Sequence, residues 1–143
     1  MAEYVRTPHE VARLLRSRIA GKVVCDLGCA EGEFLKALSA EASAVKGVEQ
    51  VTVKANVAKN QGFTVENRDF KIGALPTADV YYSFLDVGGT QVLVTKILAE
   101  NIRSIFIFGE SGNIFQNLYL TEKGAVELSA SNGDFKVYVW DRR

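Results

Sequence analysis

The chain of 143 residues has one histidine, two cysteines and no net charge, with Lys+Arg and Asp+Glu both at 17. Each shortage removes a class of function. The lone histidine, His9, leaves Cys25 and Cys29 without a second imidazole to act as base, so a catalytic cysteine is not expected. Two cysteines four residues apart and one histidine fall short of the roughly four ligands that a zinc site wants, so no metal is expected either. Without secretory context the thiols are expected free, in a reducing, cytoplasmic setting. The zero charge balance lacks the general positive field of a nucleic-acid binder. Arg6, Arg13, Arg16, Arg18 and Lys22 cluster near the start, which reads first as a solvated helix face. No apolar run approaches the ~18–20 residues of a membrane span. The opening Met1-Ala2-Glu3-Tyr4-Val5-Arg6 has no apolar stretch of the signal-peptide kind. What is present is ordinary for a globular chain: 48% hydrophobic and 24% charged residues. The length predicts a single domain over 1–143, without a separate substrate domain.

The residue pattern predicts alternating helices and strands. Thr7-Pro8-His9-Glu10 carries a capping residue, a proline suited to the first helical position and a capping-box acid. Val11, Leu14, Leu15 and Ile19 then recur at helical spacing as far as Gly21. Val23 to Leu27 reads as a short buried strand, Glu33 to Ala40 as a helix and Val45 to Glu49 as a second strand. A helix over Val51 to Asn60 and a strand over Phe63 to Arg68 follow. Ala78 to Leu85 reads as a fourth strand, with Tyr81, Tyr82 and Phe84 adding β-propensity. Val92 to Ile102 reads as a helix and Ser104 to Gly109 as a fifth strand. Ala125 to Ala130 and Phe135 to Trp140 flank Ser131-Asn132-Gly133-Asp134, whose Asn-Gly step signals a hairpin. Near-continuous apolar strands alternating with helices predict a parallel sheet covered on both faces, with an antiparallel pair at the end.

Chemistry is concentrated at three strand ends. The turn after the first strand reads Asp26-Leu27-Gly28-Cys29-Ala30-Glu31-Gly32. Gly28 permits a tight turn and close approach of a ligand to the backbone, while Ala30 and Gly32 keep that approach open. Glu49 ends the next strand, where a carboxylate can accept from both hydroxyls of a ribose. Asp69 follows the third strand and can accept from an adenine amino group, with Phe70 placed to cover the ring. Singly these read as a plain turn, a surface carboxylate and a turn cap. In this order, each at a strand end, they point jointly to an adenosine-type pocket. Spacings of two between the small residues do not fit the G-x-G-x-x-G fingerprint of nicotinamide enzymes, so an oxidoreductase is disfavoured.

Asp26-x-Gly28-x-Ala30-x-Gly32 resembles motif I of class I S-adenosylmethionine (SAM)-dependent methyltransferases, with Ala30 in place of the usual middle glycine. Glu49 resembles that family's acidic second motif, Asp69-Phe70 its third, and Ala78 to Asp86 its fourth. The resemblance implies an α/β three-layer Rossmann-like sandwich with a mostly parallel seven-stranded sheet and a C-terminal antiparallel hairpin. It also implies SAM as cofactor, with S-adenosylhomocysteine as product, held by Asp26, Gly28, Ala30, Gly32, Glu49, Asp69 and Phe70. Small size and Tyr4-Val5-Arg6-Thr7-Pro8 before the first helix look like the minimal archaeal-type protein lysine methyltransferases. The activity so implied is methyl transfer to an amine, in particular a protein lysine. The amine must be deprotonated and held in line. Asp86, after the fourth strand, is the first candidate for orienting it, and equally reads as a helix or turn cap. Tyr82, Ser83 and Phe84 are further candidates, and Tyr4 and Glu110 could reach the pocket from adjoining loops. The Asn/Asp-Pro-Pro-Tyr/Phe signature of amino-methylating nucleic-acid enzymes is absent, which makes a nucleic-acid acceptor the less favoured one. The alternatives are a small-molecule or RNA methyltransferase, including one that dimerises to close its pocket, and a non-catalytic SAM-binding partner module.

Overall fold

Short apolar, β-branched runs become parallel strands, and the stretches between them become helices. The computed structural model describes residues 8–100, 102, 104–108, 129–131 and 136–141. Its elements run α1 (Pro8–Leu14), α2 (Arg16–Ile19), β1 (Val23–Leu27), α3 (Glu33–Ser39), β2 (Ala44–Val48) and α4 (Thr52–Asn60). They continue with β3 (Thr64–Glu66), β4 (Val80–Ser83), α5 (Val87–Glu100) and β5 (Ser104–Phe108). Strand conformation recurs at β6 (Ser129–Ser131) and β7 (Lys136–Asp141). The Asn-Gly step expected to turn between these two lies outside the described residues, as do Tyr4, Thr7 and Glu110.

The fold is α/β and Rossmann-like, built on five parallel strands in the order β3-β2-β1-β4-β5. From β1 the chain builds outward through β2 to β3, then returns to place β4 on the other side. That reversal opens a crevice above the carboxyl ends of β1 and β4, where open parallel sheets bind ligands. The register makes the ends level: Leu27 of β1 pairs with Val48 of β2 and with Ser83 of β4. Gly28, Glu49 and Phe84 therefore leave the sheet side by side.

Strand alternation divides the core between the two faces. Cys25, Leu27 and Tyr81 pack with Leu93, Val94 and Ile97 of α5. Val24, Val80, Tyr82 and Phe106 pack with Val11 and Leu15 near α1 and with Ala37 and Leu38 of α3. Cover on both faces explains why β4 is buried along its whole length. No helix among the described residues is long and apolar enough to cross a membrane.

Two expected elements differ. The first helix is divided at Leu15, whose N–H is shared between the carbonyls of Val11 and Ala12 at 3.2 Å each. The helix expected over Val92 to Ile102 begins five residues earlier, at Val87. Gly88 and Gly89, outside the expected helix, occupy a first helical turn closed by Asp86. The Gly89 N–H donates to Asp86 Oδ1 at 2.7 Å, and the Thr90 N–H donates to the Asp86 carbonyl at 2.9 Å. A Cβ at position 89 would stand 3.1 Å from that carboxylate oxygen, so the small residue lets the cap close.

Candidate functional site

The turn between β1 and α3 alternates in hand. Gly28, Ala30 and Gly32 have φ of 89°, 51° and 97°. Alanine in this region carries a steric cost of about 1–2 kcal/mol, so neighbours must hold it there. The N–H groups of Gly28 and Cys29 both donate to the Val48 carbonyl, at 2.8 and 3.0 Å. The Ala30 N–H donates to Glu49 Oε1 at 2.8 Å. Gln61 Nε2 donates to the Glu31 carbonyl at 3.0 Å. Gly32 allows close helix packing, since a Cβ there would lie 3.2 Å from Ala58 and from the Phe63 ring.

A cavity of about 300 Å³ opens beside this turn, at the carboxyl ends of β1, β2 and β4. It brings together five of the expected residues: Gly28, Glu49, Asp69, Phe70 and Asp86. Val48, Leu85 and Phe84 add apolar wall. Asp26, Ala30 and Gly32 are not part of that wall. Asp26 is buried, and burial followed by the charge of Glu49 pushes its carboxyl up to about 8 from 3.8.

Each lining carboxylate has a defined local task. Glu49 accepts the Ala30 N–H through Oε1 and the Val51 N–H through Oε2, at 2.8 and 2.9 Å. Asp69 Oδ1 accepts the Lys71 N–H at 2.9 Å, which makes it a turn cap. Asp86 Oδ1 caps α5. A carboxylate offers about four acceptor positions, so all three keep capacity for a ligand. The Arg68 charge is engaged elsewhere: Nε lies 2.6 Å from Glu66, and Nη1 and Nη2 donate to the carbonyls of Ile72 and Ala74. The wall is therefore rich in acceptors, with Lys71 as its other cation. Such a surface can accept from hydroxyls and amines and tolerate a positive centre.

Of the other acceptor-side candidates, Tyr82 is buried and its ring stacks on Phe34 at a centroid distance of 4.2 Å. Ser83 is fully buried, with its hydroxyl lacking a hydrogen-bond partner among the described residues. Phe84 is exposed and lines the cavity. Among the described residues no group of three His, Cys, Asp or Glu side chains could hold a metal ion.

Sequence reasoning missed Gly47, Asn67 and Gln61. Gly47 sits mid-strand in β2. In space its missing Cβ makes room for Cys29, whose Sγ would be 2.5 Å away. Asn67 Nδ2 donates to the Glu49 carbonyl at 2.9 Å. An amide just beyond a strand was the available signal.

Replacing Asp86 with alanine removes the cap of α5 and is expected to lower stability by about 1 kcal/mol. Urea denaturation checks this; an unchanged midpoint would mean that the cap carries no weight.

No protein-family model and no curated protein matches the sequence. Solved structures do match. The magnesium protoporphyrin IX methyltransferase from Synechocystis PCC 6803, with bound SAM, is similar over 98% of this chain and 80% of its own, with TM-score 0.76 and 13% identity. An RNA methyltransferase from Salinibacter ruber, in complex with S-adenosylhomocysteine, is similar over 99% of this chain and 92% of its own, with TM-score 0.68 and 16% identity. A ribosomal protein methylase from Lactobacillus delbrueckii subsp. bulgaricus covers 98% of this chain and 79% of its own, with TM-score 0.70 and 11% identity. At such identities the likeness is one of fold: this chain has the α/β Rossmann-like fold that these methyltransferases share.

Proposed function

We propose that the chain is a SAM-dependent methyltransferase that acts on an amine, with a protein lysine as the acceptor its sequence resemblance favours. The observation that carries the reading is the convergence of Gly28, Glu49, Asp69 and Phe70 on one cavity at the carboxyl ends of the strands. The donor set fits the adenosine part of SAM. Glu49 would accept from the ribose hydroxyls and Asp69 from the adenine amino group, with the Phe70 ring and Val48 as apolar cover. Gly28 leaves the backbone open on the cavity side, and Ala30 and Gly32 act by shaping the turn. The two C-terminal strands support the full seven-stranded form of this fold: β7 registers antiparallel against β5, and β6 against β7.

Bound SAM would supply an electrophilic methyl group on a sulfonium. The residues of the chain contribute position and proton handling. Asp86 stands at the cavity with one oxygen given to the helix cap and the other free in chemical capacity to orient an amine. The carboxylates of Glu49, Asp69 and Asp86 favour approach of a cationic acceptor, which must lose a proton to water or a carboxylate before it can react. A small-molecule or RNA acceptor is the second reading. It is favoured by structural neighbours whose names specify a porphyrin and RNA.

Calorimetry with SAM and with NAD is the first test, and SAM binding alone is expected. NAD binding without SAM binding would overturn the reading. Incubation with methyl-labelled SAM and cell lysate is then expected to label a protein band. Label in RNA or in small molecules would move the acceptor to the second reading. SAM binding without any transfer would leave a SAM-binding module.

A further inference from the structure

Glu49 is connected to its surroundings more fully than recognition of a ligand requires. Its N–H donates to the Glu66 carbonyl at 3.0 Å, and its carbonyl accepts from Asn67 at 2.9 Å, so its backbone is tied to β3 and the residue beyond it. Its carboxylate then spans the other way. One oxygen takes the Ala30 N–H at the crest of the left-handed turn, and the other takes the Val51 N–H at the entrance to α4. The residue is 8% exposed. Hydrogen bonds from backbone N–H groups to a carboxylate are charge-assisted and about twice as strong as neutral ones. Ala30 is the one non-glycine residue with positive φ among the described residues, and it is the residue that Glu49 holds. Without that bond, nothing given by its own side chain keeps alanine in a region it disfavours.

We propose that Glu49 is a positioning residue for the glycine turn, holding at Ala30 the turn whose Gly28 lines the cavity, in addition to any contact it makes with a ribose. The inference rests on the adenosine-site reading above only for its ligand measurements. A ribose-binding acid and a turn clamp make different predictions. If Glu49 acts only on the diol, removing it weakens ligands that carry the diol and leaves others unchanged. If it also sets the turn, removing it weakens both, because the turn is misplaced for every adenosine ligand.

The test uses Glu49→Ala and Glu49→Gln with two probes, S-adenosylhomocysteine and its analogue lacking both ribose hydroxyls, with affinities measured by calorimetric competition. Glu49→Ala is expected to weaken the probe without the hydroxyls by at least about tenfold, or about 1.4 kcal/mol, and S-adenosylhomocysteine by at least as much. Glu49→Gln keeps one acceptor oxygen but turns an NH2 toward the other N–H, so it is expected to move both probes in the same direction by less. Loss confined to the diol-bearing probe overturns the clamp. Amide hydrogen exchange gives a readout that needs no ligand. In Glu49→Ala the Ala30 and Val51 amides are expected to lose protection, and in Glu49→Gln the one that faces the NH2, while the Gly28 and Cys29 amides, bonded to Val48, keep more of theirs. Unchanged protection at Ala30 and Val51 overturns the proposal even if ligands bind. Failure of the wild-type chain to bind either probe overturns the adenosine-site reading, while the exchange result still decides the clamp.

Discussion

Replacing Gly47 with alanine is expected to cost about 2–3 kcal/mol of stability, at the upper end of what overpacking usually does. The added Cβ would stand 2.5 Å from Cys29 Sγ, 2.8 Å from Cys29 Cβ and 3.1 Å from Leu35 Cδ1. Two of these contacts are closer than carbon and its neighbours tolerate, and both are with the residue that opens the glycine turn. Cys29 cannot simply swing away. Its N–H is bonded to Val48, and its side chain is buried with Leu35, Ala55 and Ala58. The strain must therefore pass either into the β1–β2 register or into the turn itself. A second substitution tests the contact itself. Cys29→Gly removes both offending atoms, so the Gly47→Ala, Cys29→Gly pair is expected to lose clearly less than the sum of its single changes. Urea denaturation of the four proteins measures the coupling. A Gly47→Ala protein as stable as wild type, or strictly additive changes, would show that β2 and the turn do not meet as described.

Gly47 also shows where sequence stops being informative. Periodicity and β-branched runs located all five parallel strands, because cover on both faces imposes an apolar signal on each strand locally. The positions of Gly28, Glu49 and Asp69 at strand ends were likewise legible, since a parallel strand followed by a helix puts its last residue at one edge of the sheet. What was not legible depends on contacts between segments distant in the chain. Gly47 matters because of Cys29, and Asn67 because of Glu49. The start of α5 was hidden because two glycines argue for a turn, and only the Asp86 cap shows that they lie in a helix. Of the two readings of Asp86, the helix cap is observed, and the residue also lines the cavity. The turn cap at Asp69 was among the sequence readings, but the local task of Glu49 was invisible for the same reason, as a carboxylate carries no mark in sequence of which distant N–H it will meet.

The second large effect is expected with pH. Asp26 is buried at the end of β1, and its carboxyl is pushed up to about 8, first by burial and then by the charge of Glu49. In the unfolded chain the same group releases its proton near 3.8. Between these values the folded state holds a proton that the unfolded state has lost, so stability falls as pH rises across the window. Its contribution is complete below about pH 4 and gone above about pH 8, a change on the order of several kcal/mol at 1.36 kcal/mol per pH unit. Burial holds the Cys29 thiol up to about 12 and the Cys25 thiol and Tyr82 hydroxyl well above their usual ranges, so all three stay neutral throughout. Asp26→Asn keeps the shape and cannot ionise. Urea midpoints measured from pH 4 to pH 9 are expected to fall in the wild type and to fall much less in the variant. The two proteins should be close at pH 4 and furthest apart at pH 9, with the variant the more stable. Parallel curves would mean that Asp26 carries no proton in the folded state. The same proton bears on the site, because Asp26 ionises beside the carboxylate that holds Ala30. Loss of that proton places two negative charges under one turn, so adenosine-ligand affinity is expected to weaken above about pH 8 in the wild type and to hold in Asp26→Asn.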